Sequence, residues 1–291
     1  MNIKRKGIIM AGGNGTRLAP ITLGINKQLM PIYDKPMIYY PLSTLMMAGI
    51  NEILIITNPL FKNLFKNLLG NGSQWNISIQ YAIQDKPDGL AQAFILGEEF
   101  IDNNPTMLIL GDNIFHGTNL INLLSKTSED YNGATIFAYK VKNPEAYGIV
   151  NFSQDQKISS IDEKPKNSKS KYAITGIYFY DNTAVKKVKG LQPSKRGELE
   201  ITDLNKIYLK EKNLKCQILG RGYSWFDTGS IDSLNASSQY VQIIEHRQGL
   251  KIGCPEEIAW RNNWITRENL ERLAQDLKKS SYGEYLLSLL D

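Results

Sequence analysis

The chain opens on a short apolar run, Gly7-Ile8-Ile9-Met10, that stops abruptly at glycines. Four further runs rich in β-branched and aromatic residues follow: EILIIT at Glu52–Thr57, ISIQYAI at Ile77–Ile83, TMLIL at Thr106–Leu110 and ATIFAYKV at Ala134–Val141. Between them the spacing predicts helices over PLSTLMMAG, FKNLFKNLLG and GLAQAFILGEEFI. Short strands alternating with helical stretches are the pattern of parallel βαβ units, so the expected class is α/β, with a large mixed, mainly parallel sheet flanked by helices.

From Tyr147 the pattern changes. GIVNF, KISSI, AITGIYFYD and KCQIL predict short strands and ELEITDLNKIYLKEK a polar helix, as in a second half packed on the same sheet, with KPKNSKSK (Lys164–Lys171) as an exposed loop. Past Ile231 the periodicity is helical, through SLNASSQYVQIIEHRQ, TRENLERLAQDLKK and YGEYLLSLL. The expected organisation is an α/β body over 1–240, with its halves meeting near 140. A mainly helical extension over 241–291 follows, packed on the body or on a neighbouring subunit.

Composition narrows the function. Hydrophobic residues make up 42% and charged residues 22% of the 291 positions, the profile of a globular protein. The net charge of +5 comes from lysines spread along the chain, which gives no support to nucleic-acid or membrane binding. Two cysteines, Cys216 and Cys254, lack zinc-site spacing and are too few for a disulfide framework. The apolar run behind Lys4-Arg5-Lys6 is too short for a signal-peptide core. No run approaches the roughly 20 apolar residues of a membrane span, so a cytoplasmic setting is expected.

The glycines after the first strand, in AGGNGTRL, fit neither common phosphate loop. A P-loop needs a lysine after its glycines, and the dinucleotide fingerprint needs a small residue where Leu18 stands. What remains is a strand-to-loop turn near the carboxyl end of a first strand, where open α/β sheets place ligands. Gly12, Gly13 and Gly15 let backbone N–H groups approach an anion, while Thr16 and Arg17 add a hydroxyl and a forked cation. Lys27, before a proline-punctuated stretch, could supply a second charge. Asp112 follows the apolar run Met107–Leu110, and Asp227 follows an aromatic run; each could equally cap a helix or start a turn. Together they suit Mg²⁺, which takes one or two carboxylates plus substrate phosphates. Only two histidines are present, His116 and His246, the second in the helical tail, which argues against a histidine-based triad. A phosphate nucleophile is already largely dianionic at neutral pH, so alignment and charge neutralisation would suffice.

Read in order, AGGNGTRL, KQLMPIYDKPMIYYPLSTLMMAGI, DGLAQAF, LGDNIF, FAYKV, YGIV, EKP, YAITGIYFYD, RGELEITDLN and GRGYSWFDTG resemble the glucose-1-phosphate thymidylyltransferases, and the likeness extends into RQGLKIGCPEEIAWR. The resemblance implies a nucleotide-diphospho-sugar transferase fold of Rossmann-like type, with a nucleotide-binding half over about 1–140 and a sugar-binding half over about 141–240. It implies a homotetramer and a Mg²⁺-dependent reaction of dTTP with glucose 1-phosphate that yields dTDP-glucose and pyrophosphate, the first step of deoxysugar synthesis. By the same resemblance Gly12, Gly13, Gly15 and Thr16 hold the triphosphate, and Arg17 and Lys27 stabilise the leaving pyrophosphate. Gln84 and Gly89 recognise thymine, with Gln28 in the same pocket. Asp112 and Asp227 bind the metal, Lys164 the sugar phosphate and Glu163 the glucose hydroxyls; Tyr147, Gly148, Ile174 and Trp225 complete the hexose pocket. Ile174 stands where the family usually has valine, and His116 replaces an aromatic residue. An allosteric product site at a subunit contact is a further family property.

Three other readings compete. A sibling enzyme could use UTP, CTP or ATP, or another hexose 1-phosphate. A noncatalytic nucleotide-sugar sensor would tolerate loss of the metal and lysine positions, which are all kept. Asp227-Thr228-Gly229-Ser230 spells an aspartic protease signature, but that chemistry needs two such aspartates sharing a proton, and Asp112 sits in a different context.

Overall fold

The computed structural model describes residues 3–291. Strand β1 (Lys6–Ala11) runs into the glycine loop, and a small hairpin of β2 (Pro31–Ile32) and β3 (Lys35–Pro36) precedes α1 (Tyr39–Met47). Then come β4 (Glu52–Thr57), α2 (Lys62–Leu69), β5 (Ser78–Ile83), α3 (Gln92–Leu96), α4 (Glu98–Ile101) and β6 (Thr106–Leu110). The middle of the chain supplies β7 (Asn113–Gly117), α5 (Leu120–Ser128), β8 (Ala134–Lys140), β9 (Gly148–Phe152), β10 (Ile158–Glu163) and β11 (Tyr172–Tyr180). After α6 (Ala184–Lys189), α7 (Ile201–Lys210), β12 (Leu214–Leu219) and β13 (Tyr223–Asp227), the chain is helical through α8 (Ile231–Gln248), α9 (Pro255–Arg261), α10 (Arg267–Asp276) and α11 (Ser281–Ser288).

Among the described residues nine strands form one mixed sheet. Along β6-β1-β4-β5 every pairing is parallel. Helices cover both faces of that half, which is why its strands read as continuous apolar runs. In β1 the alternation is literal: Ile9 and Ala11 join the core shared with α1, α2 and the tail helices, while Ile8 and Met10 join the core under α3, α4, α6 and α7. The second half extends the same sheet: β11 pairs antiparallel with β6, β8 and β9, and β12 adds parallel to β8. The register of β11 on β8 breaks between Ile174 and Tyr178, leaving Thr175, Gly176 and Ile177 outside that ladder, although Ile177 still pairs with β6.

Two local expectations shift, and one element was not anticipated. GLAQAFILGEEFI forms two short helices that meet at Gly97, a poor helix former pressed so close to the sheet that a Cβ there would lie 3.0 Å from Leu54. The polar helix of the second half begins only at Ile201, because Glu200 has extended backbone and turns its carboxylate back to Ser194 and Arg196. Finally, β7 and β13 pair antiparallel as a separate ribbon, Asn113 opposite Asp227, with no run of alternation to announce it.

The helical tail is tied to the body by a buried ion cluster. Lys35 on β3 and Lys251 after α8 each lie 2.9 Å from a Glu245 carboxylate oxygen, and the Ile252 N–H donates to the same carboxylate at 2.9 Å. Among the described residues no helix is long and apolar enough to cross a membrane.

Candidate active site

The glycine loop leaves β1 at its carboxyl end. Gly15 has left-handed backbone (φ 61°) and opens a single 3-10 turn over Thr16–Leu18. A second such turn, Lys27–Leu29, is locked beneath the loop by Asn26, whose amide donates to the Ala11 carbonyl at 3.2 Å and accepts the Gln28 N–H at 2.8 Å. Lys27 and Gln28 are thereby buried, and Gln28 Oε1 has no hydrogen-bond partner among the described residues.

The two aspartates meet through the β7–β13 ribbon. Asp112 follows β6 in a turn, and its carbonyl accepts both the Thr228 N–H at 3.1 Å and the Thr228 hydroxyl at 2.8 Å, which draws Asp227 alongside. Burial first, and the Asp112 carboxylate second, raise the Asp227 carboxyl above the ordinary aspartate range, against the pull of Lys27 and Arg17. Lys27 Nζ pairs directly with Asp112. Arg17 reaches the same spot: a Cβ on Gly229 would lie 2.6 Å from its guanidinium and 3.0 Å from Asp227 Oδ1.

Two adjoining chambers share Leu90, Leu110, Asp112 and Glu198 in their walls. The smaller, about 230 Å³, is lined by Gly12, Gly13, Lys27, Gln28, Gln84 and Gly89. The larger, about 730 Å³, holds Thr16, Arg17, Tyr147, Gly148, Glu163, Lys164, Ile174, Trp225 and Asp227. Of the residues singled out from sequence, only Gly15 lines neither, because it is tucked behind Thr22 and Lys27 as a turn residue. Thr16 and Arg17 open on the larger chamber, beyond the glycines they follow.

Within the larger chamber, Glu163 at the end of β10 accepts the Thr202 hydroxyl at 2.5 Å and lies 3.5 Å from Arg196. Lys164 follows with φ 44°, its N–H donating to the Tyr147 carbonyl at 3.0 Å and its side chain half-exposed. Tyr147 and Trp225 lean on each other, ring centroids 5.2 Å apart. Ile174 is both core and wall.

Sequence reasoning passed over Asn113. Its Oδ1 accepts the Trp225 indole N–H at 2.6 Å and the Gly176 N–H at 3.2 Å, where β11 leaves its ladder, while its Nδ2 donates to Asp112 at 2.9 Å. The only local signal was an amide directly after the aspartate. Both histidines lie elsewhere. His116 bonds Tyr240 at 2.8 Å beside another cavity, and His246 bonds Tyr33 at 2.8 Å.

Among the described residues no three histidine, cysteine or acidic side chains cluster as a complete metal cage. Two neighbouring carboxylates, one of them raised by burial and by the other's charge, fit a hard cation that completes its shell with water and phosphate oxygens.

The family model for nucleotidyl transferases matches residues 6–242, a span that contains the glycine loop, Arg17, Lys27 and both aspartates. The chain is 57% identical to a glucose-1-phosphate thymidylyltransferase of Neisseria meningitidis over 98% of its own length and 99% of the relative's. A Bacillus anthracis protein assigned to the same activity and crystallised with sucrose superposes with a TM-score of 0.75 at 41% identity, covering 81% of this chain and 94% of that one. A UDP-glucose pyrophosphorylase bound to UDP-glucose gives a TM-score of 0.72 at 25% identity, covering 83% and 100%. The chain belongs to the glucose-1-phosphate thymidylyltransferase family.

Proposed function

We propose that this enzyme transfers a thymidylyl group from dTTP to glucose 1-phosphate, giving dTDP-glucose and pyrophosphate. The observation that carries the reading is that the two chambers meet at Asp112, with Asp227, Arg17 and Lys27 around the junction. The smaller chamber takes the nucleotide, with Gly12 and Gly13 along its phosphates and Gln84, Gly89 and Gln28 at its base. The larger takes the sugar phosphate, with Lys164 on the phosphate, Glu163 on the hydroxyls and the Tyr147–Trp225 pair against the ring.

A phosphate oxygen of the sugar attacks the α-phosphorus, the bond from that phosphorus to the bridging oxygen breaks, and pyrophosphate leaves with the electron pair. No proton has to be removed, which agrees with the lack of histidine at either chamber. Lys27 and Arg17 offset the charge that develops on the leaving oxygens. Bound Mg²⁺, held by Asp112 and Asp227, would supply further charge neutralisation at the phosphates. The protease reading is disfavoured, since that chemistry needs two carboxylates facing each other and Asp112 is engaged instead by Lys27 and Asn113.

We further propose the homotetramer that the resemblance implies; exposed Ile121, Ile243 and Leu250 support covering by another copy, and light scattering tests it. The function itself is tested by pyrophosphate release with dTTP, UTP, dCTP and ATP against several hexose 1-phosphates. Preference for dTTP with glucose 1-phosphate is expected; a stronger rate with another pair would move the enzyme to a sibling activity.

A further inference from the structure

Gln84 sits just past β5, buried, with one end of its amide committed to the protein. Its Nε2 donates to Gln92 Oε1 at 2.6 Å and, through a longer bond, to the Gly89 carbonyl at 3.4 Å. Gln92, on the first turn of α3, donates its own Nε2 to Asp88 Oδ2 at 3.1 Å. The direction of this chain follows from its last member. A carboxylate can only accept, so Gln92 must turn its nitrogen to Asp88 and its oxygen to Gln84. Gln84 must then donate with Nε2, which leaves Oε1 as the free end. Among the described residues that oxygen accepts no hydrogen bond, and it lies against the glycine loop, 2.7 Å from where a Cβ on Gly12 would stand.

We propose that Asp88 and Gln92 form a polarity relay that holds Gln84 as a hydrogen-bond acceptor and thereby selects a base carrying a ring N–H. The inference rests on the smaller chamber being the nucleotide site. Thymine and uracil present a donor at ring N3, whereas cytosine presents a lone pair there and would face the Gln84 oxygen unpaired. A buried group built to bond one partner rejects an analogue that lacks the matching atom far more strongly than shape alone does. The relay separates thymine and uracil from cytosine and leaves the choice between the first two to other contacts. Asp88 and Gln92 act through Gln84, so they are positioning residues.

The test is the ratio of kcat/KM for dTTP to that for dCTP, with glucose 1-phosphate as acceptor. In Asp88→Asn the new amide can donate to Gln92, the chain can reverse, and Gln84 can present Nε2 to the base. The ratio is expected to fall about tenfold or more. Gln92→Glu keeps an acceptor facing Gln84 and should hold the ratio within about twofold of the parent even where its overall rate drops. Gln92→Met leaves Gln84 Nε2 only the longer bond to the Gly89 carbonyl and should lower the ratio in the same direction, which keeps the idea testable should Asp88→Asn fold poorly. A merely structural role would depress both nucleotides together. An unchanged ratio in active Asp88→Asn and Gln92→Met overturns the relay alone, whereas a parent enzyme that releases no pyrophosphate from dTTP overturns the functional reading beneath it.

Discussion

The side-chain oxygen of Asn113 accepts the Trp225 indole N–H at 2.6 Å, so the residue that steadies Asp112 also sets the tilt of an aromatic wall in the larger chamber. Asn113→Ala would strand two donors, the Trp225 indole and the Gly176 N–H, at about 1–3 kcal/mol for each that stays buried. Urea unfolding should show a loss of about 2–4 kcal/mol. Asn113→Asp keeps an acceptor for both donors, so the stability it loses comes from burying a carboxylate beside Asp112 and should be recovered as pH is lowered. It also adds a third carboxylate beside Asp112 and Asp227 and should slow turnover about a hundredfold. Equal stability and activity losses in the two variants would contradict this division of roles.

Asp112→Asn preserves size while removing charge at the junction of the chambers. Pyrophosphate release should fall by about a thousandfold or more even at saturating Mg²⁺; near-parent rates would remove Asp112 from the chemistry. Because burial and Asp112 raise the Asp227 carboxyl, protons compete for it earlier than for an ordinary aspartate. At limiting Mg²⁺ the rate should therefore fall as pH is lowered, and excess Mg²⁺ should move that fall to lower pH.

Lys164 stands half-exposed at the mouth of the larger chamber. Lys164→Ala should raise KM for glucose 1-phosphate about tenfold or more while leaving KM for dTTP nearly unchanged. Parallel changes in both constants would mean that the sugar phosphate is held elsewhere.

Gly89 has φ 104°, and a Cβ there would stand 2.3 Å from the Leu199 carbonyl oxygen, a backbone atom that cannot swing aside. Gly89→Ala should lose more than about 2 kcal/mol of stability and weaken nucleotide use before sugar-phosphate use. A thermal melt and the two KM values read this directly.

Cys216 carries the opposite kind of signal, a reactive group made inert. Burial pushes its thiol from the ordinary value near 9 up to about 12, so the thiolate is scarce at pH 8 in the folded chain. Iodoacetamide should label it slowly in the native state and quickly in guanidinium. The folded thiol binds its proton more tightly than the unfolded one, so its stabilising contribution is intact below pH 9 and is lost as pH rises toward 12. Fast native labelling at pH 8 would show that the site is open.

How much was legible depended on the range of the interaction. EILIIT and TMLIL became β4 and β6 residue for residue, because a strand buried on both faces writes its burial into an unbroken apolar run. The candidate residues were legible one at a time, as glycines after a strand, aspartates after apolar runs and a lysine before prolines. Their convergence was not. Asp112 and Asp227 lie far apart in the chain and meet only because β7 and β13 pair, and neither strand shows the alternation that marks a half-buried sheet. Asn113 and the pair Asp88–Gln92 were invisible for the same reason: an amide in a sequence has no direction, and only the partners fixed around it by folding decide which end donates. Local pattern thus determined the class of fold and the kinds of chemical group available, since periodicity and residue type are properties of the chain itself. Which groups face one another, and with what polarity, was decided by long-range pairing and burial that exist only in the folded molecule.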